Sequence, residues 1–504
     1  MGASERQARC ERRGWAGWVA GALNHYLTVM WARSAASLAE AANGIPSAHL
    51  VIVAASCRLK QLMASPLEIS FQWPQRTVLA LLDIVGEHNL RQSALCTATA
   101  STSFFSGIGS AEIAWQAIGA AMSVCGLPFR LRATFTCEKD QVCQQVLLRY
   151  TACHVYTDLM DMMSTVPGHI ESAPGFHQKV RLSRSTAVRL TARCCRCQGR
   201  CFVRVGDIDT SGSPCQDWSR AGSRRGELGA RAHLLLLWVR WHRVMETPII
   251  IHENVQGFDL SLLAALLEDM YRMSHVVVGP EHVGWPCCRR PRIYVALFHR
   301  RKVKLLCDPS WLFWQLSPRL RTFLRVRDCL IARVGEVFEE GQQRATSARA
   351  RGPWAAAAQG QCHPLTAFED QRLKYYCKLW SRSFGTNPWL ESDLIFNLGD
   401  NPDGGWVTWS APGPSDSMHR VPTFRRKWTA QWLPSKNRWL TTSERCVCMG
   451  FPASTELAAC LGLVGQYQLS WHQRHTVGNA MHLANVGVWQ ACVAASAILL
   501  GCSS

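Results

Sequence analysis

From about residue 104 onward, short runs of β-branched and aromatic residues alternate with longer stretches of helical periodicity. This is the pattern of an α/β protein with a mostly parallel sheet and helices on its faces. It predicts strands over residues 103–105, 131–136, 154–157, 202–208, 248–252, 275–278 and 293–298. Residues 1–97 carry apolar helical stretches at 35–42 and 78–85, but no motif that bears chemistry. Two segments interrupt the alternation. Residues 162–200 form a polar insert rich in Arg, Ser and Cys, and residues 341–360 have the composition of a linker or disordered excursion. Between about 300 and 436 the periodicity weakens while Trp, Arg and Pro accumulate, which reads as a separate smaller domain. Near the C-terminus the run Val486 to Cys502 is apolar around Gln490. It falls short of the roughly 20 residues a bilayer requires. A helix buried beside the sheet is expected, with no membrane partner.

Composition narrows the class. The 504 residues suffice for about two to three domains. Lys and Arg number 55 against 36 Asp and Glu, a formal charge of +19 that points to a polyanionic partner, for which nucleic acid is the usual choice. The 23 cysteines are spread along the chain rather than set out as a small disulfide framework. Glu5, Arg6, Arg9, Glu11 and Arg12 break up any apolar signal segment, so reduced intracellular thiols are expected.

The sharpest chemistry is a pair of segments. Pro214-Cys215-Gln216-Asp217-Trp218-Ser219 follows one predicted strand, and Ile249-Ile250-Ile251 leads into His252-Glu253-Asn254-Val255. A thiol and a carboxyl delivered at the ends of neighbouring strands suit attack on an electron-poor ring whose nitrogen is protonated as the bond forms. Earlier, Phe104-Phe105-Ser106-Gly107-Ile108-Gly109-Ser110 runs from a strand into a glycine turn and then a helix, where backbone can approach a ligand closely. Glu138 ends the second predicted strand, and Asp158, with Asp161 as a competitor, ends the third. Cys194-Cys195-Arg196-Cys197 with Cys201 has a C-x-x-C spacing, but no second pair follows nearby apart from Cys215. A four-ligand set is incomplete on sequence, and no metal is expected.

These motifs resemble, in kind and order, those of the cytosine-C5 methyltransferases, with Pro-Cys-Gln followed by Glu-Asn-Val. Gly284 to Val295 is similar to that family's Gln-x-Arg-x-Arg segment, with Arg290 and Arg292 on its arginines and Cys288 in place of Gln. Arg438-Trp439-Leu440-Thr441 with Gly450-Phe451-Pro452 resembles the penultimate motif, and Thr476-Val477-Gly478-Asn479 the last. Ser103 and Ser110 depart from the family's Asp and Gly in the first motif. The resemblance implies a Rossmann-like methyltransferase fold, a mostly parallel mixed sheet with a smaller target-recognition domain. It implies an N-terminal extension over 1–97, a catalytic domain over 98–300, target recognition over 301–436, and a return to the catalytic domain over 437–504.

It further implies S-adenosylmethionine as methyl donor, held by Phe105, Ser106, Gly107, Gly109, Glu138, Asp158, Pro214 and Asn479. Glu138 would accept the ribose hydroxyls and Asp158 the adenine amino group. Cys215 would add to carbon 6 of cytosine while Glu253 protonates ring nitrogen 3. Asn254 would hold the local turn, and Arg290 or Arg292 would steady the pyrimidine oxygen. DNA is the leading partner, flipped out or single-stranded at the target base, and a nuclear location is expected if that DNA is chromosomal in a eukaryotic cell. Two alternatives stand: the same chemistry on structured RNA, and a catalytically silent nucleic-acid-binding protein. Basic and aromatic residues at 300–304 and 425–428 are candidate contacts to the nucleic acid.

Overall fold

The computed structural model describes residues 64–164, 167–219, 222–349, 365–403, 408–410, 412–413, 416–425 and 430–500. Its centre is a nine-stranded sheet. The strands are β1 (Ala100–Phe104), β2 (Arg132–Cys137), β3 (His154–Tyr156), β4 (Thr191–Cys194), β5 (Gly199–Phe202), β6 (Ile208–Ser211), β7 (Ile249–Val255), β8 (Tyr271–Val278) and β9 (Arg292–His299). They lie in the order β5-β4-β3-β2-β1-β6-β7-β9-β8. Strands β3, β2, β1, β6 and β7 are mutually parallel, and only β4 and β9 run against the rest. The chain leaves β1 toward one edge and returns at β6 toward the other. The carboxyl ends of β1 and β6 therefore open a crevice, the usual ligand position in such sheets.

Sequence and structure differ in three places. The strand expected over 202–208 begins only at Ile208, because Asp207 turns its carboxylate onto the start of β1. That carboxylate accepts from the Thr99 and Ala100 N–H groups at 2.7 and 3.0 Å. At Gly206 a Cβ would come within 2.8 Å of Thr102, so the chain passes close to β1 there. The polar insert, in which no strand was expected, contains helices Pro167–Ser172 and Phe176–Ser185 and then the β4–β5 hairpin, which extends the sheet beyond β3. Within the tract expected as a linker, residues 341–349 belong to the helix Val334–Arg349, and residues 350–360 lie outside the described residues.

Helix Leu483–Ala495 is buried along its whole length, packing on helices Ser110–Val124, Trp73–Val85 and Pro309–Leu316. Its one long polar side chain, Gln490, donates to Ala111 O at 3.3 Å and Thr210 Oγ1 at 3.0 Å, so burial leaves its amide N–H groups bonded. Among the described residues no helix is long and apolar enough to cross a membrane. The helices between Pro66 and Thr97, expected as part of an extension, belong to this packing: Trp73 is fully buried against Gly487. The stretch 35–42 lies outside the described residues. A second core, made by Leu373, Tyr376, Trp380, Phe396, Trp432 and Trp439 with their neighbours, sits within residues 365–439.

A Cβ at Gly487 would stand 2.0 Å from the tip of the Trp73 ring. Gly487→Ala is expected to destabilise the protein by roughly 1–3 kcal/mol through overpacking. Trp73→Phe in the same chain should restore part of the loss. Urea denaturation of the single and double variants checks this; an unmoved midpoint in Gly487→Ala would show that the two helices are not packed this tightly.

Candidate active site

Cys215 lies in the loop leaving β6, and its carbonyl accepts from the Trp218 and Ser219 N–H groups at 3.1 and 2.8 Å, closing a tight turn. The neighbouring strand β7 fixes the loop through its alternation. His252 and Asn254 share one face. His252 Nε2 meets Ser213 Oγ at 2.9 Å, and Asn254 Nδ2 donates to Ser213 O at 3.2 Å and to its Oγ at 3.1 Å. Burial pushes the His252 imidazole down to about 3, so it stays neutral and serves as a fixed hydrogen-bonding wall.

Glu253 points to the other face, where β9 runs antiparallel. Tyr294 stands opposite Glu253 and Arg292 opposite Val255, which makes Arg292 the diagonal neighbour of Glu253. Arg292 Nε lies 3.1 Å from Glu253 Oε1, with the two side chains 14% and 12% exposed. Burial raises the Glu253 carboxyl above its usual range, while Arg292 and Arg290 pull it back. Burial also raises the Cys215 thiol; Arg292 opposes this, and Glu253 adds to it. The loop's Gly212 allows the close approach, since a Cβ there would stand 3.2 Å from Glu253 Oε2. Thiol, carboxyl and guanidinium thus share one electrostatic corner.

The two arginines are not equivalent. Arg290 is buried and donates to three backbone carbonyls: Phe424 at 3.2 Å, Gly478 at 3.2 Å and Ala480 at 2.6 Å. Burial and Arg292 push it down to about 9. Both arginines were expected to face the pocket; Arg290 instead clamps the turn carrying Asn479, which is itself exposed. The ion pair with the carboxyl is made by Arg292, while Arg290 acts on the thiol and carboxyl only through its charge.

At the crevice between β1 and β6, Gly107 and Gly109 adopt positive φ (56° and 84°), and Phe105 does so too (54°). A Cβ on Gly107 would meet nothing within 4 Å, so this side of the turn is open. Glu138 accepts from the Gly107 N–H and the Asp140 N–H, both at 2.8 Å, and burial raises its carboxyl. Asp158 accepts from the Met160 N–H at 3.0 Å and pairs with Lys139 at 3.1 Å, whereas Asp161 turns to Thr157. Pro214 precedes Cys215 on the same loop, and Ser106 bridges β1 and β2 through Cys137.

Three positions that depart from the motifs have partners of their own. Ser103 Oγ donates to Glu112 at 2.5 Å, and Glu112, buried and pushed up to about 7, is a residue the motifs did not reveal. Ser110 Oγ donates to Met481 O at 3.1 Å. Cys288 Sγ donates to Cys448 O at 2.9 Å. His252 and Ser213 also escaped the sequence reading. The signal for His252 was its place one residue before Glu253 on an otherwise apolar strand.

The basic run 300–304 was expected where nucleic acid enters. It follows His299, at the end of β9 opposite Arg292, and Arg301 and Lys302 pair with Glu246. Arg425 pairs with Asp400, while Arg426, Lys427 and Trp428 lie outside the described residues. Arg438 is bound to Glu444 at 2.7 Å and the Thr441–Glu444 capping box starts the next helix, so this segment is architectural.

Among curated proteins nothing matches the chain. Among solved structures it is similar to a protein described as a DNA modification methyltransferase encoded within a prophage of E. coli (13% identity over 78% of this chain and 98% of that one, TM-score 0.41). Entamoeba histolytica methyltransferase EhMeth gives 13% identity, 78% and 97% coverage and a TM-score of 0.41. S. pombe Dnmt2 methyltransferase gives 13%, 78% and 98%, and 0.38. The family model for C-5 cytosine-specific DNA methylase matches residues 204–482, a stretch that begins after the Gly107 turn and holds Cys215, Glu253, Arg290 and Arg292. Spanning more than half of the chain, that match makes this protein a member of the C-5 cytosine-specific DNA methylase family.

Proposed function

We propose that this methyltransferase modifies carbon 5 of cytosine in DNA, with S-adenosylmethionine as donor and a transient bond from Cys215 to carbon 6. The observation carrying this reading is the convergence of Cys215, Glu253 and Arg292 at one partly buried corner.

The crevice at β1 fits the donor's chemistry. An open glycine turn at the N-terminus of the 15-residue helix Ser110–Val124 suits a carboxylate. Glu138 and Asp158 retain acceptor capacity for hydroxyl and amino donors. When bound, S-adenosylmethionine supplies an electrophilic methyl group to carbon 5. The chain's own residues do the rest. Cys215 gives its proton to solvent and adds as thiolate to carbon 6, and Glu253, whose carboxyl burial raises, gives a proton to ring nitrogen 3 as the charge develops there. Arg292 stabilises the thiolate and afterwards the carboxylate left on Glu253. Carbon 5 next gives its proton to solvent, the carbon 5–carbon 6 double bond re-forms as the carbon 6–sulfur bond breaks, nitrogen 3 returns its proton to Glu253, and the released thiolate takes a proton from solvent. Reading of the surrounding nucleic acid falls to the second core within 365–439, whose rim exposes Phe368, Phe384 and Trp389 for base stacking.

Labelled S-adenosylmethionine offered with DNA and with RNA, side by side, tests the reading. Label is expected in DNA; label in RNA alone would overturn the substrate. DNA carrying 5-fluorocytosine should trap a covalent adduct in wild type and none in Cys215→Ala. For Glu253→Gln, turnover should fall at least about 100-fold with cofactor binding retained. Near-normal turnover would remove Glu253 from the mechanism.

A further expectation concerns the resting thiol. Because burial holds the thiol in its neutral form to higher pH, Cys215 should react with iodoacetamide more slowly than a free cysteine near pH 7.5, and its rate should still be climbing above about pH 9. Peptide mass spectrometry resolves it from the other cysteines. A pH-independent rate near neutrality would mean that the thiolate is already formed before substrate arrives.

A further inference from the structure

We propose that His154, Cys194, Cys197 and Cys201 form a tetrahedral zinc site that fastens the β4–β5 hairpin to the edge of the sheet. The set is incomplete on sequence because the fourth ligand comes from β3, far from the cysteines along the chain.

The four ligand atoms lie within 4.8 Å of one another. His154 Nδ1 stands 3.6 Å from Cys194 Sγ and 3.5 Å from Cys197 Sγ. A tetrahedron with zinc–sulfur bonds of about 2.3 Å and zinc–nitrogen bonds of about 2.05 Å has nitrogen–sulfur edges of about 3.6 Å. The observed separations have that size before any rearrangement.

Local structure explains the gathering. Tyr156 pairs with Cys194 across β3 and β4, and Ala192 pairs with Cys201 across the hairpin. The turn between the arms carries Cys197, and Gln198 there takes a left-handed φ of 54°. Backbone N–H groups of Cys197 and Arg196 face the Cys194 sulfur, the kind of outer support that orients a thiolate ligand. Cys195 points elsewhere, its Sγ donating to Gln144 at 3.4 Å. Three thiolates and one neutral imidazole around Zn²⁺ leave a net charge of about −1, a charge common to structural sites with three cysteines and one histidine. Three sulfurs and one nitrogen in this arrangement select zinc over hard cations.

The hairpin also needs such a fastening. β5 is an edge strand with β4 as its only strand partner in the sheet, and Phe202 at its end is 59% exposed. Apolar burial on this strand is slight, so a metal bound in the folded state and not in the unfolded chain would add directly to its stability.

Elemental analysis of the full chain, purified after growth in zinc-supplemented medium, tests the site. One zinc per chain is expected in wild type and in Cys195→Ala. In His154→Ala and Cys197→Ala it should fall below about a tenth of that, while His154→Cys, which retains four ligands, should stay near one. Chelator-stripped wild type should regain zinc from zinc chloride alone and recover a thermal midpoint several degrees higher. Wild-type protein that neither carries zinc nor takes it up would overturn the proposal, as would a Cys194–Cys197 disulfide in freshly isolated protein. Equal loss in Cys195→Ala would likewise overturn the assignment. None of these readouts depends on methyl transfer.

Discussion

The active corner depends on one electrostatic compromise. A carboxyl able to give a proton and a thiol able to lose one share a partly buried space, and that burial favours the neutral form of both. Arg292 holds the balance. Its charge favours the thiolate of Cys215, and its contact with Glu253 favours the carboxylate; in the reaction proposed above it would serve as counterion to both. The antiparallel run of β9 is what puts it there, because a strand entering from the crevice end brings its first residue beside the last residues of β7.

A second layer of interactions fixes this corner by joining segments far apart in sequence. Arg290 ties the segment before β9 to the turn at Gly478–Ala480, Ser110 ties the glycine turn to Met481, and Tyr467 donates to Ile108 O at 2.8 Å. The motif departures belong here. Serine at 110 supplies a hydroxyl that glycine lacks, and serine at 103 can donate to the buried Glu112 where an aspartate would set two carboxyls against each other. Sequence comparison alone makes these positions look like losses. In the fold they are polar pairs with complementary partners.

The sheet and the thiol–carboxyl pair were legible in the sequence because both are local: an apolar strand and the residues that leave it. What escaped was set by distant partners. The beginning of β6 was misplaced because the apolar run continued through Val203 and Val205, whereas the capping of β1 by Asp207 decides the boundary. The β4–β5 hairpin was hidden because Arg and Cys occupy its alternating positions, and the composition then reads as a polar insert. The basic run after His299 looked like a phosphate contact, yet strand direction puts it at the far end of β9 and Glu246 partners two of its residues. The differing roles of Arg290 and Arg292 could not be separated on sequence, since alternation alone gives them the same face.

The placement of helix Leu483–Ala495 has a consequence for biogenesis. It fills the middle of the packing against helices Trp73–Val85 and Ser110–Val124, yet it is synthesised after every strand of the large sheet. At about 5–20 residues per second, some 20–80 seconds separate translation of Trp73 from that of Gly487. During that interval the helices made first present an uncovered apolar face, and Gln490 is not there to meet Thr210. The core therefore closes only when the helix Leu483–Ala495 reaches the helices made first.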